Sequence, residues 1–384
     1  MNFKFATTNR IIFGPGSINQ VAPLALEYGS NPLVVTGKGL ERAEQLLEHF
    51  KRSNIKPSIY SVTGEPTTIT IRECVQLSRK NECDVIIGIG GGSTIDTGKA
   101  AAALMTNEGD LLDYLEVIGQ GKKLKNPSAP FIAVPTTAGT GAEVTRNAVI
   151  AYPEHKVKVS LRSHFLLPEI AVVDPLLTHS MPPSITAYTG LDAFTQVIEP
   201  YVSNKANPIT DSLCREGIKR ISRSLLRVYR NGSDSTSRED MCIGSLFGGL
   251  TLANAKLGAV HGFAGPMGGM IGAPHGAICG TLLPHVIKAN IEALKSREPD
   301  SSALLHYDEI AGIITDNSKA TSMDLIDWIT ELYENIKLPK LSELGLKDEQ
   351  INKLIEKAKK ASSMKGNPIQ LTDAELKEII KSTF

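Results

Sequence analysis

Apolar residues recur with one period in the first part of this 384-residue chain and with another in the remainder. Up to about residue 180, short apolar runs alternate with amphipathic stretches. PLVVTGKG (32–39), PSIYSV (57–62), DVIIGIGGG (84–92), FIAVPTTAGTG (131–141) and EIAVVDP (169–175) read as strands. LERAEQLLEHFKRSN (40–54) and TITIRECVQLSRKNE (68–82) read as helices between them. Continuous apolar strands alternating with helices predict a parallel sheet covered on both faces. After Pro182 the period is helical throughout: PSITAYTGLDAFTQVIEPYV, SLCREGIKRISRSLLRVY and MCIGSLFGGLTLANAKL show no strand pattern. Pro182-Pro183 suits a sharp helix entry. TDAE (372–375) is a capping-box pattern that opens a last short helix. The expected organisation is an α/β unit over 1–181 followed by an all-helical unit over 182–384.

Composition narrows the partners more than the fold. Lys and Arg number 41, as do Asp and Glu, so there is no electrostatic reason to expect nucleic acid or an anionic membrane. The lysines of the C-terminal tail alternate with Ile and Leu at helical spacing and read as a solvated face. No apolar stretch approaches the roughly 18 residues of a membrane span, and MNFKFATTNR lacks an apolar leader core. Cytoplasmic residence is the expectation. The five cysteines are scattered without CxxC spacing and read as reduced thiols, neither a disulfide frame nor a zinc knuckle. A neutral net charge removes one guard against self-association and favours an oligomer.

Two loops at strand ends offer ligand chemistry. GIGGGSTIDTGKA (88–100) runs from a strand into an alanine-rich helix, where glycines let backbone N–H groups approach a phosphate. It is neither a Walker A loop nor the GxGxxG fingerprint, because Ala100 follows Lys99 and Ser93 stands at the third glycine place. On spacing alone a glycine-rich tight turn is an equal reading. PTTAGTGAEVT (135–145) adds the hydroxyls of Thr136, Thr137 and Thr140 at the next strand end. Ligands of α/β sheets bind at such carboxyl ends, so each loop strengthens the other.

The helical half holds a second constellation. Asp192 and Gln196 are four residues apart and share one helix face. His261 and His275 each precede a glycine, fourteen residues apart in KLGAVHGFAGPMGGMIGAPHGAICG. One carboxylate and two imidazoles suit a divalent metal with an open position. Each histidine taken alone reads as a hydrogen-bonded structural residue.

Together GGGSTIDTGK, PTTAGTGAEVT, Lys158 ten residues before Pro168, AVVDP, TGLDAFTQVIE and the paired HG elements resemble the iron-containing (group III) alcohol dehydrogenase family, related to glycerol dehydrogenase and dehydroquinate synthase. The resemblance runs from about Phe13 to about His285, with a family-like tail. It implies a dinucleotide-binding domain, a helical domain, and hydride transfer between NAD(P)(H) and a small alcohol, aldehyde or ketone held at a metal. It further implies that Gly90, Gly91, Gly92 and Ser93 hold the pyrophosphate, with Asp96 near the nicotinamide. Thr136, Thr137 and Thr140 would contact phosphate and ribose, and Lys158 the cofactor ribose. Asp192, His261 and His275 match family metal positions and would be the catalytic set. Homodimers or larger assemblies are expected from the same resemblance.

Two positions depart from the family pattern. Gln196 stands where a histidine ligand is usual, and Gly265 where a further histidine usually follows the first HG. A neutral amide oxygen binds metal more weakly than imidazole. The altered set is compatible with zinc on three protein ligands, with loosely held iron, or with loss of the metal. Without a histidine at 265, a water, a ribose hydroxyl or a substrate group must carry the proton. Gly37 takes the place of an acidic residue that many NAD-specific relatives use to repel a 2′-phosphate, and Lys38 follows it, which favours NADP(H) over NAD(H).

Three rival readings remain at this level. A maleylacetate-reductase-like enzyme would dispense with metal and need a basic cluster, for which Arg146 and Lys256 are the candidates. A dehydroquinate-synthase-like lyase would recycle NAD without net redox. A non-catalytic sugar- or nucleotide-binding module is the third.

Overall fold

The computed structural model describes residues 2–155 and 157–384, which divide into two compact units, Ala6–Ser180 and Met181–Phe384, with residues 2–5 grouped with the second. The first unit holds eight strands: β1 (Arg10–Phe13), β2 (Pro32–Thr36), β3 (Ser58–Ser61), β4 (Val85–Gly90), β5 (Phe131–Pro135), β6 (Asn147–Tyr152), β7 (Val157–Arg162) and β8 (Ile170–Val173). Its helices are α1 (Val21–Leu26), α2 (Glu44–Arg52), α3 (Thr68–Lys80), α4 (Gly92–Thr106) and α5 (Leu111–Tyr114).

Six strands form one sheet in the order β1-β8-β5-β4-β2-β3, every neighbouring pair parallel. Alternation along each strand divides the core between the two faces. Leu33, Val35, Ile86 and Ala133 pack with α3 and α4, whereas Val34, Val85, Ile87, Ile89, Ile132 and Val134 pack with α1 and α2. This explains why the strands read as unbroken apolar runs: both faces are buried.

From β2 the chain runs outward to β3, then returns to the other side of β2 as β4. The order therefore reverses between β2 and β4, whose carboxyl ends flank the crevice where open α/β sheets take their ligands. Helix α4 leaves β4 at this point and is buried along nearly its whole length.

The sequence reading placed five of the six sheet strands. It missed β1, a four-residue edge strand with its first two positions exposed, and the antiparallel β6–β7 hairpin. It also carried strands into loops, since β2 stops at Thr36 and β4 at Gly90, and began one helix early, since α2 starts at Glu44. The hairpin is tied to α4 by charge. Lys99 Nζ donates to Thr145 O, Thr145 Oγ1 and Asn147 O at 2.8–3.1 Å and lies 3.6 Å from Asp96. Burial lowers the Lys99 value and raises that of Asp96, each against the pull of the other's charge.

The second unit is helical: α6 (Pro183–Val202), α7 (Pro208–Arg230), α8 (Ser235–Asn254), α9 (Ala259–Ile271), α10 (His275–Arg297), α11 (Ser302–Thr315), α12 (Ser322–Ile336), α13 (Ile351–Lys360) and α14 (Asp373–Lys381), with no strand among its described residues. Pro183 occupies the first turn of α6, and Thr372 and Glu375 form the capping box of α14. On α13 the apolar face carrying Ile351, Leu354, Ile355 and Ala358 is buried while Lys353, Lys359 and Lys360 are exposed. α6 is buried nearly all round, with α7, α8 and α10 against it. Among the described residues no single helix is long and apolar enough to cross a membrane; α8 and α9 meet that test of length and composition as a pair, but they are bent by 95° at the break between them.

Candidate metal centre and cofactor loops

Four side chains from three helices converge in the helical unit. Asp192 lies mid-way along α6, His261 in the first turn of α9, and His275 and Cys279 one turn apart at the start of α10. One donor atom from each lies within 4.8 Å of all the others. Asp192 Oδ1 is 3.3 Å from His261 Nε2 and 3.7 Å from His275 Nε2. Cys279 Sγ is 3.6 Å from His275 Nε2 and 3.9 Å from His261 Nε2.

Close helix approach makes this convergence possible. A Cβ on Gly276 would stand 1.9 Å from the Tyr188 carbonyl oxygen on α6, so only glycine lets α10 begin there. The glycine following His275 is thus a packing requirement that brings His275 and Cys279 to Asp192. His261 is oriented from behind. Glu199, seven residues after Asp192 on α6, accepts from the Val260 N–H at 2.7 Å and faces His261 Nδ1 at 2.7 Å, leaving Nε2 turned toward Asp192.

Gln196, one turn beyond Asp192, helps to hold the Asp192 value down, and its Oε1 is buried with no partner. Burial alone would raise the Asp192 value, but the facing imidazoles of His275 and His261 hold it below the ordinary carboxylate range. Burial likewise opposes charge on both histidines and on Cys279. Their mutual attraction prevails, so the histidine values rise and the thiol value falls. At Gly265 on α9 a Cβ would meet nothing within 4 Å.

The cofactor candidates lie in the α/β unit around the sheet's reversal point. Gly37 and Lys38 follow β2, with Lys38 exposed and open space at the Gly37 Cβ position. Gly90 ends β4, Gly91 is the N-cap of α4 without any side-chain cap bond, and Gly92 and Ser93 begin the helix. The Thr136 N–H donates to Gly90 O at 2.9 Å, joining the two loops. Thr137 and Thr140 stand over Gly91 and Gly92: Cβ atoms there would lie 3.5 and 3.0 Å from the threonine side chains. The glycine turn and the threonine loop thus make one continuous surface of backbone and hydroxyl groups.

Two further candidates have partners inside the protein. Asp96 accepts from the Val149 N–H at 2.9 Å and faces Lys99. Lys158, on β7, pairs with Glu65 at 2.5 Å. Arg146 and Lys256 are both exposed and neither belongs to the donor cluster.

Sequence reasoning passed over three residues. Cys279 was grouped with the other thiols, although its spacing of four from His275 signals one helix face. Glu199 sits within a quoted motif, three residues beyond Gln196. Arg42 Nη1 donates to Thr136 Oγ1 at 3.3 Å, and no motif announced it.

Residues 8–175 match the family model described as iron-containing alcohol dehydrogenase, and residues 186–384 match that of the Fe-containing alcohol dehydrogenase family, C-terminal. The chain belongs to the iron-containing alcohol dehydrogenase family. It is thereby an oxidoreductase of the class acting on CH–OH groups. A 1,3-propanediol dehydrogenase of Klebsiella pneumoniae is 35% identical over 390 residues, spanning 100% of this chain and 99% of the relative. A solved 1,3-propanediol oxidoreductase superposes with a TM-score of 0.92 at 34% identity, covering 100% of both chains. A sulfoacetaldehyde reductase from Bifidobacterium kashiwanohense, solved in complex with NAD+, gives 0.88 at 29% identity over 100% of this chain and 99% of that one.

Proposed function

We propose that this dehydrogenase interconverts a small alcohol and its aldehyde or ketone with NAD(P)(H), using a divalent cation held by Asp192, His261 and His275. The observation that carries the reading is the meeting of those three side chains, 69 and 83 residues apart along the chain, at donor distances of 3.3 and 3.7 Å, with Glu199 behind His261. A carboxylate behind a histidine ligand is the usual device for fixing the metal-facing nitrogen. The buried, unpartnered Oε1 of Gln196 also fits a cation site, since a buried acceptor without a donor is costly in a purely protein environment.

When bound, the nicotinamide supplies or accepts hydride and the cation acts as a Lewis acid on the substrate oxygen. The rest falls to the chain. Asp192, His261 and His275 bind, and Glu199 and Gln196 hold their orientation. The free N–H groups at the start of α4, with the Thr137 and Thr140 hydroxyls, suit a pyrophosphate. Gly37 and Lys38 leave room and positive charge for a 2′-phosphate, which supports a preference for NADP(H). Asp96 and Lys158 would contribute to the cofactor end while retaining their links to Val149 and Glu65. At Gly265 the chain provides no proton carrier, so the alcohol proton leaves through water, a ribose hydroxyl or a substrate group.

Relatives named for 1,3-propanediol and sulfoacetaldehyde support a short, polar substrate. Five free, buried cysteines support residence in a reducing compartment such as the cytoplasm. Self-association into a homodimer or larger assembly is part of the proposal and is read by light scattering. The test of the whole is absorbance at 340 nm with panels of short alcohols and aldehydes, before and after thorough chelation. Net cofactor turnover that disappears on chelation and returns with added metal is expected. Equal turnover in metal-free protein would remove the cation, and cofactor binding without net turnover would remove the dehydrogenase reading.

A further inference from the structure

The donor cluster departs from an imidazole-rich site in two places together: an amide at 196, and a thiol at 279 facing both histidines. We infer that Cys279 Sγ is a fourth protein ligand, making an Asp–His–His–Cys site that selects zinc over iron(II). The inference rests on the cation site proposed above and specifies its chemistry.

Geometry supports it first. Zinc binds nitrogen and oxygen ligands at about 2.0–2.1 Å and thiolate at about 2.3 Å, so a tetrahedron of such bonds has edges of about 3.3 Å between N or O donors and about 3.6 Å from N to S. The measured separations are 3.3 Å and 3.7 Å from Asp192 to the two Nε2 atoms, and 3.6 Å and 3.9 Å from Cys279 Sγ to the same atoms. These four separations are close to the edges of a zinc-sized tetrahedron, and all four donors lie within 4.8 Å of one another.

Chain topology supports it next. His275 and Cys279 are one turn apart on α10, so the placement that directs His275 at Asp192 directs Cys279 there too. Cys279 is fully buried, and both imidazoles lie within 3.9 Å of its Sγ. Charge agrees as well: one carboxylate and one thiolate neutralise a divalent cation in a buried setting, whereas the Gln196 amide contributes none. Thiolate and imidazole ligands both suit zinc, and iron(II) stands low in the affinity order of divalent metals for such sites. Zinc has no d-electron preference for one geometry, so a substrate oxygen can enter as a fifth ligand.

Cobalt(II) is the probe, because thiolate bonded to it gives a sulfur-to-metal charge-transfer band in the near ultraviolet. The full-length protein is stripped with chelator and titrated with cobalt, and the same titration is run on Cys279→Ser, Cys214→Ser and Asp192→Ala. One cobalt per chain with the charge-transfer band is expected for the native protein and for Cys214→Ser. Cys279→Ser should still bind cobalt but without that band, and its zinc affinity should fall by at least tenfold. In equimolar zinc and iron(II), the native protein should take zinc and Cys279→Ser should lose the bias. Stoichiometric cobalt that depends on Asp192 but lacks the band, or a Cys279→Ser spectrum equal to the native one, overturns the thiolate ligand and leaves the cation site standing. No cobalt in the native protein, or binding indifferent to Asp192→Ala, overturns the cation site itself and the thiolate ligand with it.

Discussion

The two functional regions are built on opposite plans. In the helical unit the candidate centre consists of side chains gathered from three helices, all but the partly exposed His275 buried, with Glu199 braced behind His261. In the α/β unit the candidate surface is made of short loops at neighbouring strand ends, of glycine backbone, threonine hydroxyls and a helix end. A centre of the first kind depends on individual residues, because each donor is irreplaceable and each brace fixes one ring. A surface of the second kind spreads its contacts over many groups, so single changes there should cost little by comparison.

That contrast is open to direct attack. The largest effect should come from Asp192→Ala, which removes the shared anionic donor. Turnover should fall roughly a thousandfold, about 4 kcal/mol in the transition state, while cofactor titration by nucleotide fluorescence stays near native. Parallel loss of cofactor binding would mean that the two regions are not separable. Glu199→Gln, which changes the group behind His261 and none of the proposed donors, should lower metal affinity by roughly 10- to 100-fold in a competition with a chromophoric chelator. An unchanged affinity would show that the brace behind His261 is incidental.

Changes in the α/β unit should be milder. Gly37→Asp should weaken NADPH binding roughly tenfold, about 1.4 kcal/mol, and leave NADH binding almost untouched, as two titrations would reveal. Equal losses for both cofactors would place the 2′-phosphate elsewhere. The smallest effect concerns Glu143, buried just beyond the threonine loop, whose carboxyl is pushed up to about 7 by burial. An acid whose folded value exceeds its ordinary 4.5 binds its proton more tightly when folded. Its contribution to stability is full below about 4.5 and is lost as pH rises through about 7. Thermal unfolding at about pH 5 and about pH 8 should therefore show a fall that Glu143→Gln diminishes. A fall of equal size in the variant would assign it to other groups.

The same contrast decided what could be read in advance. The α/β unit announced itself because its sheet is buried on both faces, so strands such as Val85–Gly90 appear as apolar runs ending in glycine. β1 escaped because an edge strand of four residues, half exposed, leaves no such run. The β6–β7 hairpin escaped because its strands, joined by a short turn with no α-helix between them, are only partly buried and break the strand–helix alternation of the unit. In the helical unit, Asp192, His261 and His275 were found through motif resemblance, but Cys279 and Glu199 were not. Their meaning depends on helix rotation and on how closely α10 approaches α6, which Gly276 determines through a contact with Tyr188 that no local spacing reveals.

Helix α4 has a consequence of another kind. Eleven of its fifteen residues are buried, and Lys99 anchors it through three oxygen atoms to Thr145 and to Asn147 at the start of the hairpin. A rod so enclosed cannot slide or tilt without disturbing the core packed around it, so its first turn is a fixed landmark. An anion settling there would find its partners already in position, and little binding energy would go into freezing a mobile loop.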